Sequence, residues 1–276
     1  MKYLKSVFDF YINSSIHVAL AVFCLAWITL LEFDIDFDKT LLYFIFFASI
    51  TGYNFVKYFG IAKFHHRSLA KWLQVIQVFS FMCFVIMCYL ALQLQIKTLL
   101  FIAAFCVLTF LYAIPFLPKY LFMDSQKNLR SIGGLKVYVI ALVWAGVTVI
   151  LPLINVEHNI NTDVTLTLIQ RFIVVIILML PFEIRDLQFD SLKLATIPQK
   201  IGIKKTKTIG VLLGMLFFFL EFFKDELSPI QITISLIITI VMLLLLVFAR
   251  VNQGRYYSSF WVEGIPIFWL LLILIF

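Results

Sequence analysis

Apolar residues dominate this chain in runs of about twenty, broken by short polar stretches. Nine such runs reach spanning length: Val7–Leu31, Leu41–Ala62, Trp72–Leu94, Thr98–Leu117, Leu135–Ile154, Leu166–Phe182, Thr208–Leu220, Pro229–Ala249 and Ser258–Phe276. A helix rises about 1.5 Å per residue, so about twenty apolar residues cross the hydrocarbon core. The pattern predicts nine transmembrane helices. No long polar stretch separates any two, which predicts one membrane domain over residues 1–276. The first run is too long for a signal-peptide core and is read as a helix.

Composition supports the pattern. The chain is 63% hydrophobic and 13% charged, with a mean hydropathy of +1.05. A soluble core could not hide so much apolar surface in 276 residues. The polar runs then give orientation. With the N-terminus cytoplasmic, that side carries Lys2, Lys5, Lys57, Lys63, Arg67, Lys71, Lys119, Lys127, Arg130 and Lys136. It also carries Arg185, Lys193, Lys200, Lys204, Lys205, Lys207, Arg250 and Arg255. Only Lys39, Lys97, Arg171 and Lys224 fall opposite. This bias predicts an N-in, C-out protein. The net charge of +7 is then a property of the cytoplasmic face. It suits the lipid bilayer and anionic substrates and gives no reason to invoke nucleic acid. Cys24, Cys83, Cys88 and Cys106 lie inside apolar runs and read as small core hydrophobes. Lys-, Ile- and Phe-rich usage fits a bacterial inner membrane.

Candidate chemistry concentrates in EIRDLQFDSLKLATIP, Glu183 to Pro198. Glu183, Asp186 and Asp190 fall at i, i+3 and i+7, which is one face of a helix. Aligned carboxylates beside a membrane commonly hold a divalent cation, and the cation a phosphate. The second and sixth runs both end in polar residues before the apolar pattern stops: Tyr53, Asn54 and Lys57 on one, Glu183, Arg185 and Asp186 on the other. Polar groups at membrane depth are expensive and usually face a protein-lined cavity. Glu263, inside the last run beside Gly264 and Pro266, is unusual for the same reason. His17 with Asn13, Ser14 and Ser15 reads as packed polar residues of the first helix. His65 and His66, in a basic loop without nearby metal-ligand partners, read as solvated.

These residues resemble the UbiA superfamily of membrane prenyltransferases. EIRDLQFD followed by TIPQKIG (Thr196–Gly202) is similar to the family's second Asp-rich motif and its tail. LTFLYAIPFLPK (Leu108–Lys119) and the Gly134-Leu135-Lys136 opening of the fifth run resemble its Tyr-x-x-Pro and Gly-Leu-Lys pieces. The resemblance implies an all-α, UbiA-like bundle with a central cavity. It implies transfer of a prenyl group from a prenyl diphosphate to a hydrophobic or aromatic acceptor. Asp186 and Asp190 would be Mg²⁺ ligands with Glu183 beside them, Lys136 would contact the diphosphate, and Tyr112 would stand near the reacting carbon. Asn54 matches the start of the first motif, but Tyr58 stands where its Asp is expected. No carboxylate lies between Lys39 and Lys119. One reading is an altered transferase in which Lys57, Lys63 and Arg67 supply the charge of a missing second Mg²⁺. The other is a non-catalytic relative that binds isoprenoids or serves as a partner subunit.

Overall fold

The computed structural model describes residues 2–64, 71–113, 135–188 and 196–276, the side chains of 2, 59–64, 71 and 110–113 excepted. Its described elements are helical. They are α1 (Lys2–Asn13), α2 (Ile16–Glu32), α3 (Lys39–Phe64), α4 (Lys71–Ala91), α5 (Ile96–Ala113), α6 (Leu135–Ala145), α7 (Leu151–Asn155), α8 (Thr162–Asp186), α9 (Ile197–Ile201), α10 (Ile203–Leu220), α11 (Pro229–Phe248) and α12 (Ile265–Ile275). A π-helical turn at Gly146–Ile150 joins α6 to α7, and a second at Tyr257–Val262 precedes α12.

Among the described residues, six helices are long and apolar enough to cross a membrane: Trp72–Ala91, Leu135–Asn155, Thr162–Asp186, Ile203–Phe223, Pro229–Phe248 and Tyr257–Ile275. A seventh is the bent pair Tyr3–Asn13 and Ile16–Glu32, at 54°. The first expected span is therefore a broken helix. Ser15 has a φ of 63°, a left-handed conformation that a helix cannot continue through. Asn13, Ser14 and Ser15 are all poor helix formers whose side chains compete for backbone groups. Two further corrections concern length. The sixth and seventh spans, expected at Leu166–Phe182 and Thr208–Leu220, each extend beyond those bounds at both ends. Of the remaining expected spans, α3 is diluted by Thr51, Tyr53, Asn54 and Lys57, and α5 spans Ile96–Ala113.

The core lies where α2, α6, α8 and α12 meet, with Leu25, Ile28, Val137, Ala141, Val174, Ile177 and Ile184 nearly inaccessible. Lipid tails are as apolar as leucine, so close packing, rather than the hydrophobic effect, joins such helices. Gly214 of α10 shows this: a Cβ there would sit 2.7 Å from Leu243 Cδ2 of α11. Gly214→Leu should therefore separate α10 from α11 and cost about 1–3 kcal/mol. Thermal unfolding in detergent checks this, and a midpoint equal to wild type would refute the contact.

Toward the other end of α8 from Asp186, Arg171 is 1% exposed. Its guanidinium lies 3.3 Å from Thr29 Oγ1, 3.8 Å from Glu32 Oε2 and 4.9 Å from the centre of the Trp269 ring. A cavity of about 190 Å³ opens beside this group, lined in part by Glu32, Glu221, Gln231 and Trp269.

Candidate functional site

The break between α1 and α2 frees backbone carbonyls at membrane depth, and each needs a donor. The polar end of α3 supplies them. Asn54 Nδ2 donates to the Ser14 carbonyl at 2.9 Å and to Ser80 Oγ at 2.7 Å, while Ser15 Oγ donates to Asn54 Oδ1 at 2.8 Å. Lys57 Nζ and the Tyr58 hydroxyl both donate to the Asn13 carbonyl, at 3.1 and 2.7 Å. This gives the unexpected Tyr58 a physical reason. An ionised Asp at that position could only accept, whereas Tyr can donate to a carbonyl. The residues that resemble the first Asp-rich motif brace a helix break.

The second group sits at the end of α8 and the start of α6. Glu183, 1% exposed, accepts from Lys136 Nζ at 3.2 Å. Arg185 Nε donates to Asp186 Oδ1 at 2.7 Å, and its guanidinium rests 5.2 Å from the centre of the Phe182 ring. Two of the three expected metal-binding carboxylates thus already hold a cation. Asp186 keeps its second oxygen free of hydrogen bonds among the described residues. No three His, Cys, Asp or Glu side chains gather into a possible metal site among those residues. The described residues alone therefore fit Mg²⁺ only through Asp186.

Asp190 and Arg67 lie outside the described residues, as do His65 and His66. Lys63 and Tyr112 fall on described helices, α3 and α5, with their side chains outside the description. Beyond this gap, Thr196 opens α9. Its backbone N–H donates to Gln199 Oε1 at 3.0 Å, and Pro198 sits in the first turn where no donor is needed.

Three groups converge that the motifs alone do not assemble. Lys57 of α3, Arg185 of α8 and Glu263, just before α12, act on one another electrostatically. Neither cation comes within the 4.0 Å of an ion pair with Glu263. Beside Glu263 stands a fixed polar wall. His17 Nε2 faces the Phe260 carbonyl at 3.0 Å, so that nitrogen carries the proton and donates. The neutral ring's Nδ1 then accepts from the Tyr11 hydroxyl at 2.7 Å. Trp144 Nε1 donates to the Tyr53 hydroxyl at 2.6 Å across α6 and α3. The sequence signals for Arg185 and Glu263 were their charges at the end of one apolar run and inside another. Their facing one another depends on packing between distant segments.

No family model and no curated protein matches this chain. Solved structures do. A UbiA homologue from Aeropyrum pernix K1 superposes with a TM-score of 0.65 at 16% identity, covering 94% of this chain and 98% of the homologue. A structure of digeranylgeranylglyceryl phosphate synthase superposes with a TM-score of 0.56 at 15% identity, covering 100% of this chain and 97% of that enzyme. At that coverage the likeness spans the whole bundle, and the chain has the UbiA fold.

Proposed function

We propose that this protein transfers a prenyl group from a prenyl diphosphate to a hydrophobic or aromatic acceptor, within the membrane and with reduced dependence on metal. The observation that carries the reading is the pair Lys57 and Arg185, two cations from different helices close enough to act on one another electrostatically within a UbiA fold. Diphosphate leaves an allylic carbon readily only when its developing charge is neutralised. Lys57 acts as a point charge, and Arg185 offers the planar fork that fits phosphate oxygens. Lys136 adds a third cation at the start of α6, and Lys63 and Arg67, farther along the sequence from Lys57, would add to them. Asp186, with Asp190 four residues on, would hold Mg²⁺, which when bound supplies further neutralisation of the diphosphate. Asn54 acts at one remove, fixing the helix break against which Lys57 is held. Tyr112 would stand near the reacting carbon, as the family resemblance implies.

The alternative is a non-catalytic protein of the same fold that binds isoprenoids or a partner chain. It is favoured by the closure of Glu183 and Asp186 onto Lys136 and Arg185. Affinity for a non-hydrolysable prenyl thiolodiphosphate separates the site from its surroundings. Lys57→Ala should weaken binding about 10- to 100-fold, the worth of one charge-assisted hydrogen bond. Lys200→Ala, on the outer face of α9, should change it less than threefold. Equal affinity in wild type and Lys57→Ala would remove Lys57 from the site.

A further inference from the structure

Glu263 is a carboxylate inside a membrane-spanning helix, and such a group is costly unless it has work or a partner. Its carboxylate has no hydrogen bond and no ion pair among the described residues, while its backbone N–H donates to the Ser258 carbonyl at 3.1 Å. It is partly accessible rather than sealed into packing. It follows directly on the π-helical turn Tyr257–Val262, a distortion that recurs at functional positions. Its neighbour Gly264 keeps room for His17: a Cβ there would stand 3.4 Å from His17 Nε2 and 2.7 Å from the Phe260 carbonyl. Lys57 and Arg185 lie near enough to Glu263 to act on it electrostatically, but neither forms an ion pair with it. Two cations and one carboxylate thus lie close together without pairing with one another. That arrangement suits an anion on one side and a proton-bearing group on the other.

We infer that Glu263 is the acceptor-side catalytic residue, a role that rests on the prenyl-transfer reading above. The acceptor class is one whose nucleophile carries a removable proton: a phenol, an activated aromatic C–H or an alcohol. The acceptor's nucleophilic atom forms a bond to the allylic carbon. The bond from that carbon to the diphosphate oxygen breaks, and its electron pair leaves with the diphosphate on Lys57 and Arg185. The acceptor's proton passes to the Glu263 carboxylate. The wall of His17, Tyr11 and Phe260 holds the π turn that carries Glu263, so its carboxylate meets the acceptor in one orientation.

Two measurements on the full chain in lipid nanodiscs test this. The first is labelling by dicyclohexylcarbodiimide, located by mass spectrometry. Glu263 should react, and bound geranylgeranyl thiolodiphosphate should cut its labelling at least tenfold. No labelling, or labelling unchanged while the analogue is shown to be bound, places Glu263 outside the substrate space and overturns the inference while leaving the transfer reading standing. Failure of the analogue to bind wild type overturns that reading, and this role with it.

The second is pyrophosphate release from geranylgeranyl diphosphate with hydroquinone, 4-hydroxybenzoate or a long-chain alcohol. Glu263→Gln should keep analogue affinity at or above the wild-type value yet slow release about 100-fold or more. Glu263→Asp should recover part of the rate. A Glu263→Gln rate equal to wild type, or a wild type that binds the analogue but releases no pyrophosphate with any of these acceptors, removes the catalytic role.

Discussion

Lys136→Met is expected to lower stability by about 1–3 kcal/mol, the cost of taking a charged hydrogen-bond donor from a buried carboxylate. Glu183 is the reason. It is 1% exposed, and Lys136 reaches it at 3.2 Å from a helix 47 residues away in sequence. Loss of the ammonium leaves a carboxylate in the packed seam of α6 and α8 without that cation. The double variant Lys136→Met, Glu183→Gln should recover most of the loss, because a neutral pair no longer requires charge compensation. It should not recover affinity for the prenyl thiolodiphosphate, since the cation itself is gone. Unfolding by denaturant in detergent reads the first effect and calorimetry the second. A Lys136→Met protein as stable as wild type would show that the pair contributes nothing to the fold.

Tyr58→Asp, which restores the carboxylate expected from the family resemblance, should cost about 3 kcal/mol or more and should not create a metal site. The buried hydroxyl is lost as donor to the Asn13 carbonyl, and a charge enters a position that is 7% exposed. Lys57 would turn toward the new carboxylate and leave the same carbonyl. Tyr58→Phe removes only the hydroxyl and should cost about 1–3 kcal/mol. If Tyr58→Asp were as stable as wild type and newly Mg²⁺-dependent in ligand binding, the brace account of α3 would be wrong.

These two positions show what could be read from the sequence and what could not. The apolar runs of α8, α11 and α12 marked their helices, since lipid demands length and apolarity in one continuous segment. Glu183 and Lys136 were both candidates from sequence, one as a metal ligand and one as a diphosphate contact. Their direct pairing depends on how α6 packs on α8, which no local pattern encodes. The role of Tyr58 was hidden for a similar reason. Its partner carbonyl belongs to Asn13, 45 residues earlier, and exists only because the first helix breaks. The break did have a local sign in Asn13-Ser14-Ser15, but the apolar residues around it outweighed three polar ones in any window long enough to detect a span. Glu263 was conspicuous by charge alone, and the cations that act on it come from α3 and α8.

A UbiA fold lacking the first-motif carboxylate should still seat a prenyl diphosphate, using Lys57, Lys136 and Arg185. Calorimetric binding of a geranylgeranyl thiolodiphosphate to the purified protein, with Mg²⁺ and with chelator, tests it most directly. Binding is expected in both conditions, tighter with Mg²⁺, with loss of that Mg²⁺ increment in Asp186→Ala and Asp190→Ala. No binding by folded protein in either condition would contradict it and leave the non-catalytic role as the reading of this fold.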